Sequence, residues 1–352
     1  MPPAEEAPHG GLCDRELSPL GLAREDILDF SVSLNPYGPC SEVAAAIRAA
    51  ALREYPDPTG HAARAAIAQE RGIALDRVVL GNGAAELLWG LANQLAPRGP
   101  VLVVEPTFSE LRRALERTGA RVCEWRARAE DGYAIDLDAI GRRAEHLRAS
   151  TIYLCNPNNP TGVALAASSV AAFAEARPGL RVVLDQAFLT LSTHHADAAR
   201  ALPENVILLR SLTKDHALAG VRVAYLVAPA PVAAALEAAR PPWTTSTLAH
   251  AAIHAALRMN RFIDDCRARM FADRDALAAA LRALGLDPRP TTTIFFLVSV
   301  PDATALRRRM LEHHRILVRD CSSFGLPGQI RLCARGGADD ARLLLALGRE
   351  LA

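Results

Sequence analysis

Short runs of β-branched and aliphatic residues recur along the chain between alanine- and leucine-rich stretches: Val78-Val79-Leu80, Val101 to Val104, Ile152-Tyr153-Leu154, Val182-Val183-Leu184, Val206 to Leu209 and Val223 to Val227. Each run is continuously apolar rather than alternating, which predicts strands buried on both faces, as in a mostly parallel sheet covered by helices. After Pro241-Pro242-Trp243 the texture changes. A helical pattern from Leu248 to about Leu284 leads into Ile294 to Val298, Ile316-Leu317-Val318 and Ile330-Arg331-Leu332, and a closing helix is predicted over Asp339 to Ala352. That order reads as an α/β domain followed by a smaller α+β domain.

Composition narrows the class. With 352 residues and 50% of them apolar, the chain can bury a large core, and its length suggests about two domains. The formal charge of +1, from 40 basic and 39 acidic residues, leaves no basic excess for nucleic acid or an anionic membrane. No apolar run reaches membrane-spanning length, and Met1 to His9 is proline-rich and acidic, so the expected location is the cytosol. Cys13, Cys40, Cys123, Cys155, Cys266, Cys321 and Cys333 form no C-x-x-C pair, which predicts neither a disulfide framework nor a structural zinc site. His194-His195 and His313-His314 are adjacent pairs. Neighbouring side chains point apart on a helix or strand, so solvated surface is expected there rather than a metal site.

Candidate chemistry centres on Lys214, which follows the apolar run Val206 to Leu209 in Ser211-Leu212-Thr213-Lys214 and precedes Gly220-Val221-Arg222. A lysine between a strand end and a hydroxyl turn, with a cation nearby, can present its amine to an aldehyde cofactor and hold that cofactor's phosphate. Pyridoxal 5'-phosphate (PLP) is the candidate. Gly81-Asn82-Gly83-Ala84-Ala85-Glu86 follows a strand and opens a helical stretch, where free N–H groups can meet a phosphate; the same glycines could serve turn geometry alone. The third glycine of a dinucleotide fingerprint is absent, which argues against a nicotinamide enzyme. Asp185, after Val182 to Leu184, could pair with a protonated pyridine nitrogen or could be a turn aspartate. The loop Asn156 to Gly162 could hold an asparagine amide against a ring oxygen or form an ordinary turn, and Phe108 could stack on a ring or fill the core.

The ordered set GNGAAE, PTF, NPNNPTG, DQAF, SLTK and GVR closely resembles fold-type I PLP enzymes of the class I/II aminotransferase family over nearly the whole chain. The resemblance implies an α/β fold-type I architecture with a mostly parallel central sheet. It divides the chain into an N-terminal arm (1–40) contributing to the small domain, a large PLP-binding domain (41–243) and a small C-terminal α+β domain (244–352). It implies that Lys214 holds the cofactor's aldehyde and shuttles protons, Asp185 pairs with the ring nitrogen, Asn159 meets the ring oxygen and Phe108 stacks on the ring. Gly83 with the Ala84 and Ala85 amides, Ser211 and Arg222 would bind the phosphate. Tyr55, in Tyr55-Pro56-Asp57, matches a tyrosine that reaches the neighbouring subunit's cofactor, so a homodimer with shared sites is expected. Phe188 stands where many relatives have tyrosine, which removes one donor from the ring oxygen at a cost of about 0.5–1.5 kcal/mol.

Within that family the chain looks most like the branch of histidinol-phosphate aminotransferase and threonine-phosphate decarboxylase, and Asn35-Pro36-Tyr37-Gly38 fits both. His9-Gly10-Gly11, Phe188, Pro242-Trp243 and Arg319-Asp320-Cys321-Ser322 lean to the decarboxylase, whose product serves cobalamin side-chain synthesis. Leu12, Gln186 and Asp215-His216 depart from the family pattern. Arg331 matches an arginine that grips an α-carboxylate through its bidentate fork. Arg319 and His9 would bind a side-chain phosphate, with Asn35 among the substrate contacts; the plainer alternatives are a surface ion pair for Arg319 and a tail residue for His9. The sequence expectation is therefore decarboxylation of threonine O-3-phosphate, with a histidinol-phosphate or aromatic aminotransferase as the alternative. A non-catalytic transcription regulator built on this fold would carry an added basic winged-helix segment, for which the chain has no room before its first motif.

Overall fold

The computed structural model describes residues 9–351 and divides them into two compact units. One comprises Asn35–Asn159 and Val163–Cys266; the other comprises the described part of Met1–Leu34, Pro160–Gly162 and the described part of Arg267–Ala352.

The first unit is built on a seven-stranded sheet: β1 Val78–Asn82, β2 Val101–Glu105, β3 Val122–Arg126, β4 Thr151–Cys155, β5 Arg181–Asp185, β6 Val206–Ser211 and β7 Val223–Val227. Their spatial order is β1-β7-β6-β5-β4-β2-β3, and every pairing is parallel except the two that β7 makes with β6 and β1. The continuous apolar runs follow from this arrangement. Leu102, Val104, Ile152, Leu154, Val182 and Leu184 pack into the core on one face, while Val101, Val103, Tyr153, Val183, Ile207 and Leu209 pack into the core on the other.

Strand β3 was not expected from the pattern. Val122-Cys123-Glu124-Trp125-Arg126 lies at the sheet's edge with intermediate or exposed positions throughout, so charged residues alternate with apolar ones and the run lacks the signature of its buried neighbours.

In the second unit, β8 Phe295–Ser299 and β9 Arg319–Asp320 flank β10 Gln329–Cys333 in an antiparallel sheet. Ile316–Leu317 forms a two-residue strand paired in parallel with Leu28–Asp29, shorter than the predicted Ile316 to Val318 run. The expected long helix is two, Thr247–Ala256, which belongs to the first unit, and Asn260–Ala283. The first closes with tighter i→i−3 bonds, from Arg258 N to Ala255 O and from Met259 N to Ala256 O, which interrupt the α-helical ladder.

Candidate active site

Strand direction explains where the predicted residues meet. β1 and β7 are antiparallel, as are β7 and β6, so β1 runs with the parallel strands and all six of these strands except β7 open their carboxyl ends on one edge. That edge is where open α/β sheets present ligand sites. Gly83 follows β1, Phe108 follows β2, Asn159 follows β4, Asp185 ends β5 and Ser211 ends β6; Arg222, just before the reversed β7, arrives at the same edge. One cavity is lined by Ala84, Ala85, Phe108, Asn159, Asp185, Phe188, Ser211, Lys214 and Arg222.

One part of the lining comes from α1, Gly83–Leu95, which starts directly after β1. Its first turn leaves backbone N–H groups without helical partners, and the aligned peptide dipoles favour a negative ligand. Gly83 has φ of 78°, and a Cβ there would stand 2.2 Å from an Arg222 guanidinium nitrogen. The glycine is thus what lets the cation lie against the helix start. Arg222 itself is exposed and donates from Nη1 to Ala219 O at 3.2 Å.

Asp185, in the same cavity lining, is 2% exposed. Its Oδ1 accepts from Ala187 N at 2.9 Å and its Oδ2 from Tyr153 Oη at 2.9 Å. Burial pushes the carboxyl above its ordinary pKa, opposed by those two hydrogen bonds and by the charge of Lys214. Tyr153, fully buried on β4, has its own pKa pushed well up, first by burial and then by the Asp185 charge. A tyrosine inside an otherwise aliphatic strand run was the available signal for this residue, because a buried phenol needs a partner.

Lys214 is half-buried, and its Nζ lies 5.8 Å from the centre of the Phe188 ring. Its backbone is tied down by Asn35, whose N donates to Lys214 O at 2.9 Å and whose Nδ2 donates to Asp215 O at 2.8 Å. The Asn35 side chain therefore acts on the lysine segment. Asp215 is buried and accepts from Thr190 Oγ1 at 2.7 Å and from His216 N at 2.9 Å, while Gln186 Oε1 accepts from Arg210 at 3.2 Å. Gln186, Asp215 and His216, three of the residues that depart from the family pattern, are thus framework contacts of the same edge. The Asn159 loop is held by Asn156, which donates to Leu165 O at 2.9 Å and accepts from Leu165 N at 2.7 Å. The turn before Phe108 is held by Glu105, which accepts from Thr107 N at 2.8 Å and pairs with Arg112 at 2.9 Å.

Tyr55 does not line this cavity. It is 81% exposed, with its ring 4.8 Å from that of Trp243.

His9, Arg319 and Arg331 belong to the other unit. Arg319 and Arg331 are register partners across β9 and β10, both buried, and each stacks on a phenylalanine: Phe324 at 5.0 Å and Phe295 at 5.1 Å. Burial and the neighbouring Arg331 charge pull Arg319 down to about 10, which leaves it cationic at neutral pH. Arg331 Nη2 donates to Ser31 O at 3.1 Å, Gly11 N donates to Ser31 Oγ at 2.7 Å, and a Cβ on Gly10 would stand 2.4 Å from Ser31 O. Gly10 thus allows a close approach to Ser31, whose carbonyl accepts from Arg331.

The profile of the family described as aminotransferase class I and II matches residues 25–349. A histidinol-phosphate aminotransferase of Symbiobacterium thermophilum is 33% identical over 337 residues, covering 94% of this chain and 92% of that protein. A threonine-phosphate decarboxylase of Salmonella typhimurium is 32% identical over 362 aligned positions, covering 97% and 96%. In fold, a crystal structure of histidinol-phosphate aminotransferase from Sinorhizobium meliloti with pyridoxal 5'-phosphate is similar at a TM-score of 0.86 and 26% identity, covering 97% of this chain and 96% of that one.

Proposed function

Because this chain belongs to the class I and II aminotransferase family of PLP-dependent enzymes, we propose that it is an aminotransferase of the histidinol-phosphate type, working on a phosphorylated amine. The observation that carries this reading is the likeness to histidinol-phosphate aminotransferases in both sequence and fold over more than nine-tenths of the chain. It displaces threonine-phosphate decarboxylation as the leading reading.

The cavity residues fit PLP. A buried carboxylate whose pKa is raised by burial calls for a cationic partner, a glycine-opened helix start beside an arginine calls for phosphate, and a half-buried amine lines the same cavity. When bound, PLP supplies an electron sink that weakens bonds at the substrate's Cα. Lys214 would hold the cofactor's aldehyde and move the proton at that carbon. Asp185, kept oriented by Ala187 and Tyr153, would hold the ring nitrogen protonated. Asn159 would donate to the ring oxygen, Phe108 would stack on the ring, and Ala84, Ala85, Ser211 and Arg222 would hold the phosphate.

Histidinol phosphate has a phosphate and no carboxylate, whereas an amino-acid amino donor or keto-acid acceptor has a carboxylate. An arginine pair able to take either anion in turn serves both half-reactions, and Arg319 with Arg331 supplies that chemistry. The second reading, decarboxylation of threonine phosphate, is favoured by Phe188 and Trp243 and by the likeness to the Salmonella protein. We also propose a homodimer in which Tyr55 is donated to the partner's cofactor phosphate.

Incubating the PLP-loaded protein with histidinol phosphate and 2-oxoglutarate should form glutamate without carbon dioxide. Carbon dioxide release from threonine phosphate, with no need for a keto-acid acceptor, would reverse the order of the two readings.

A further inference from the structure

The pair His313-His314 closes α3, Ala303–His314 (after α2, Asn260–Ala283), and Arg315 ends the helix in a left-handed conformation at φ of 56°. Glu350 lies in the last turn of α4, Gly337–Leu351. Instead of pointing apart into solvent, as adjacent side chains were expected to, the two imidazoles converge on one oxygen. His313 Nδ1 is 3.0 Å and His314 Nε2 is 2.9 Å from Glu350 Oε1. The two rings use different nitrogens, Nδ1 of His313 and Nε2 of His314, which lie at different distances from the backbone and so reach the same oxygen from successive positions in the last helical turn.

We propose that His313 Nδ1, His314 Nε2 and Glu350 Oε1 form a binding site for a borderline divalent transition ion, with Zn2+ as the best match. Among the described residues they are the one such grouping of metal-capable side chains, and the three atoms lie within 4.8 Å of one another. A tetrahedral zinc with ligands at about 2.0–2.2 Å needs them roughly 3.3 Å apart, a closure within reach of side-chain torsions. Two imidazole nitrogens and one carboxylate oxygen suit zinc, nickel or cobalt, not calcium or magnesium, which prefer oxygen alone. The remaining position faces solvent, since the His313 side chain is 57% exposed, so the ion can enter.

The surroundings set both orientation and affinity. Arg309 Nε donates to Glu350 Oε2 at 2.6 Å and its Nη2 to Glu350 O at 3.4 Å, which fixes the carboxylate and leaves Oε1 for the metal. Arg342 Nη2 donates to His314 O at 2.8 Å from α4. These two cations repel an incoming divalent ion, so the site should bind more weakly than one with neutral surroundings would. The ion pair with Arg309 keeps Glu350 available as a charged oxygen ligand. Coordination needs a lone pair on each ring nitrogen. A neutral imidazole moves its proton to its other nitrogen, and a cationic one releases one proton to solvent. The bound ion would staple the last turn of α4 to the end of α3.

The test is Zn2+ titration calorimetry and melting of the full-length PLP-loaded protein, with Co2+ absorption as a ligand probe, on wild type, His313→Ala and Glu350→Gln. Wild type should take up one ion and melt higher with it. His313→Ala, an exposed change that leaves both helices intact, should weaken binding by roughly tenfold or more, at least the loss expected for removing a supporting residue of a metal site. Co2+ should show visible bands without thiolate charge transfer. Equal Zn2+ affinity in wild type and His313→Ala, or a thiolate band placing the ion on a cysteine, overturns the proposal.

Discussion

Tyr153 Oη donates a 2.9 Å hydrogen bond to Asp185 Oδ2 from the neighbouring strand. The register pairs Tyr153 with Val183, so the phenol reaches diagonally to a carboxylate two residues on, at the strand end that lines the cavity. A buried carboxylate with a raised pKa binds its proton more tightly in the native protein than in the unfolded chain. Its favourable contribution is full below the ordinary carboxylate pKa and is lost as pH rises through the raised native value. Above that raised value the cofactor-free protein carries the ionised group at a cost. Asp185→Asn should melt higher than wild type without cofactor, the advantage shrinking toward acid pH, and should lose on the order of a hundredfold or more in kcat. A lower melting point of the cofactor-free variant across neutral pH would show that Asp185 is not a strained charge.

Lys214, the single lysine of the chain, is expected to carry PLP. Borohydride reduction followed by peptide mass mapping should place the cofactor on the peptide containing Lys214, and Lys214→Ala should abolish the adduct. Because Lys214 is the chain's single lysine, cofactor fixed at the N-terminal amine, or no borohydride-trapped adduct at all, would remove the assignment.

Tyr55 is exposed and stacks near Trp243, away from its own chain's cavity. If it serves a partner's phosphate, Tyr55→Phe should weaken PLP retention by about 0.5–1.5 kcal/mol, roughly two- to twelvefold. Mixing Tyr55→Phe with Lys214→Ala chains should yield heterodimers in which one site carries both lesions and the other neither, restoring part of the activity. Verified subunit exchange with no recovery would argue for sites built from single chains.

Arg319 sits beside Arg331 as a second buried cation, still protonated at neutral pH. A charge-assisted contact to phosphate is worth about 1.5–3 kcal/mol, so Arg319→Ala should cost on the order of ten- to a hundredfold in kcat/KM for the phosphorylated substrate. The loss should be far smaller for an unphosphorylated analogue. Equal losses on both would assign Arg319 to structure.

The sequence by itself determined what depends on neighbours along the chain. Runs of Val, Ile and Leu predicted six buried strands because a strand covered on both faces has no polar position to alternate, and GNGAAE, SLTK and DQAF marked strand ends because their residue types suit helix starts and turns. Only the tertiary structure decided which distant groups meet. Strand order put Tyr153 against Asp185, although the phenol had read as core. The Asn35 side chain, expected among substrate contacts, turns to the Lys214 segment far along the chain. The edge strand Val122–Arg126 went unrecognised because half-exposed strands lose the apolar signature that burial imposes. His313 and His314 read as surface until helix packing brought Glu350 between them. Periodicity reports how much of each residue is covered, since covering is imposed position by position, but the identity of a partner is set by the order and register in which elements pack, and no local pattern encodes that.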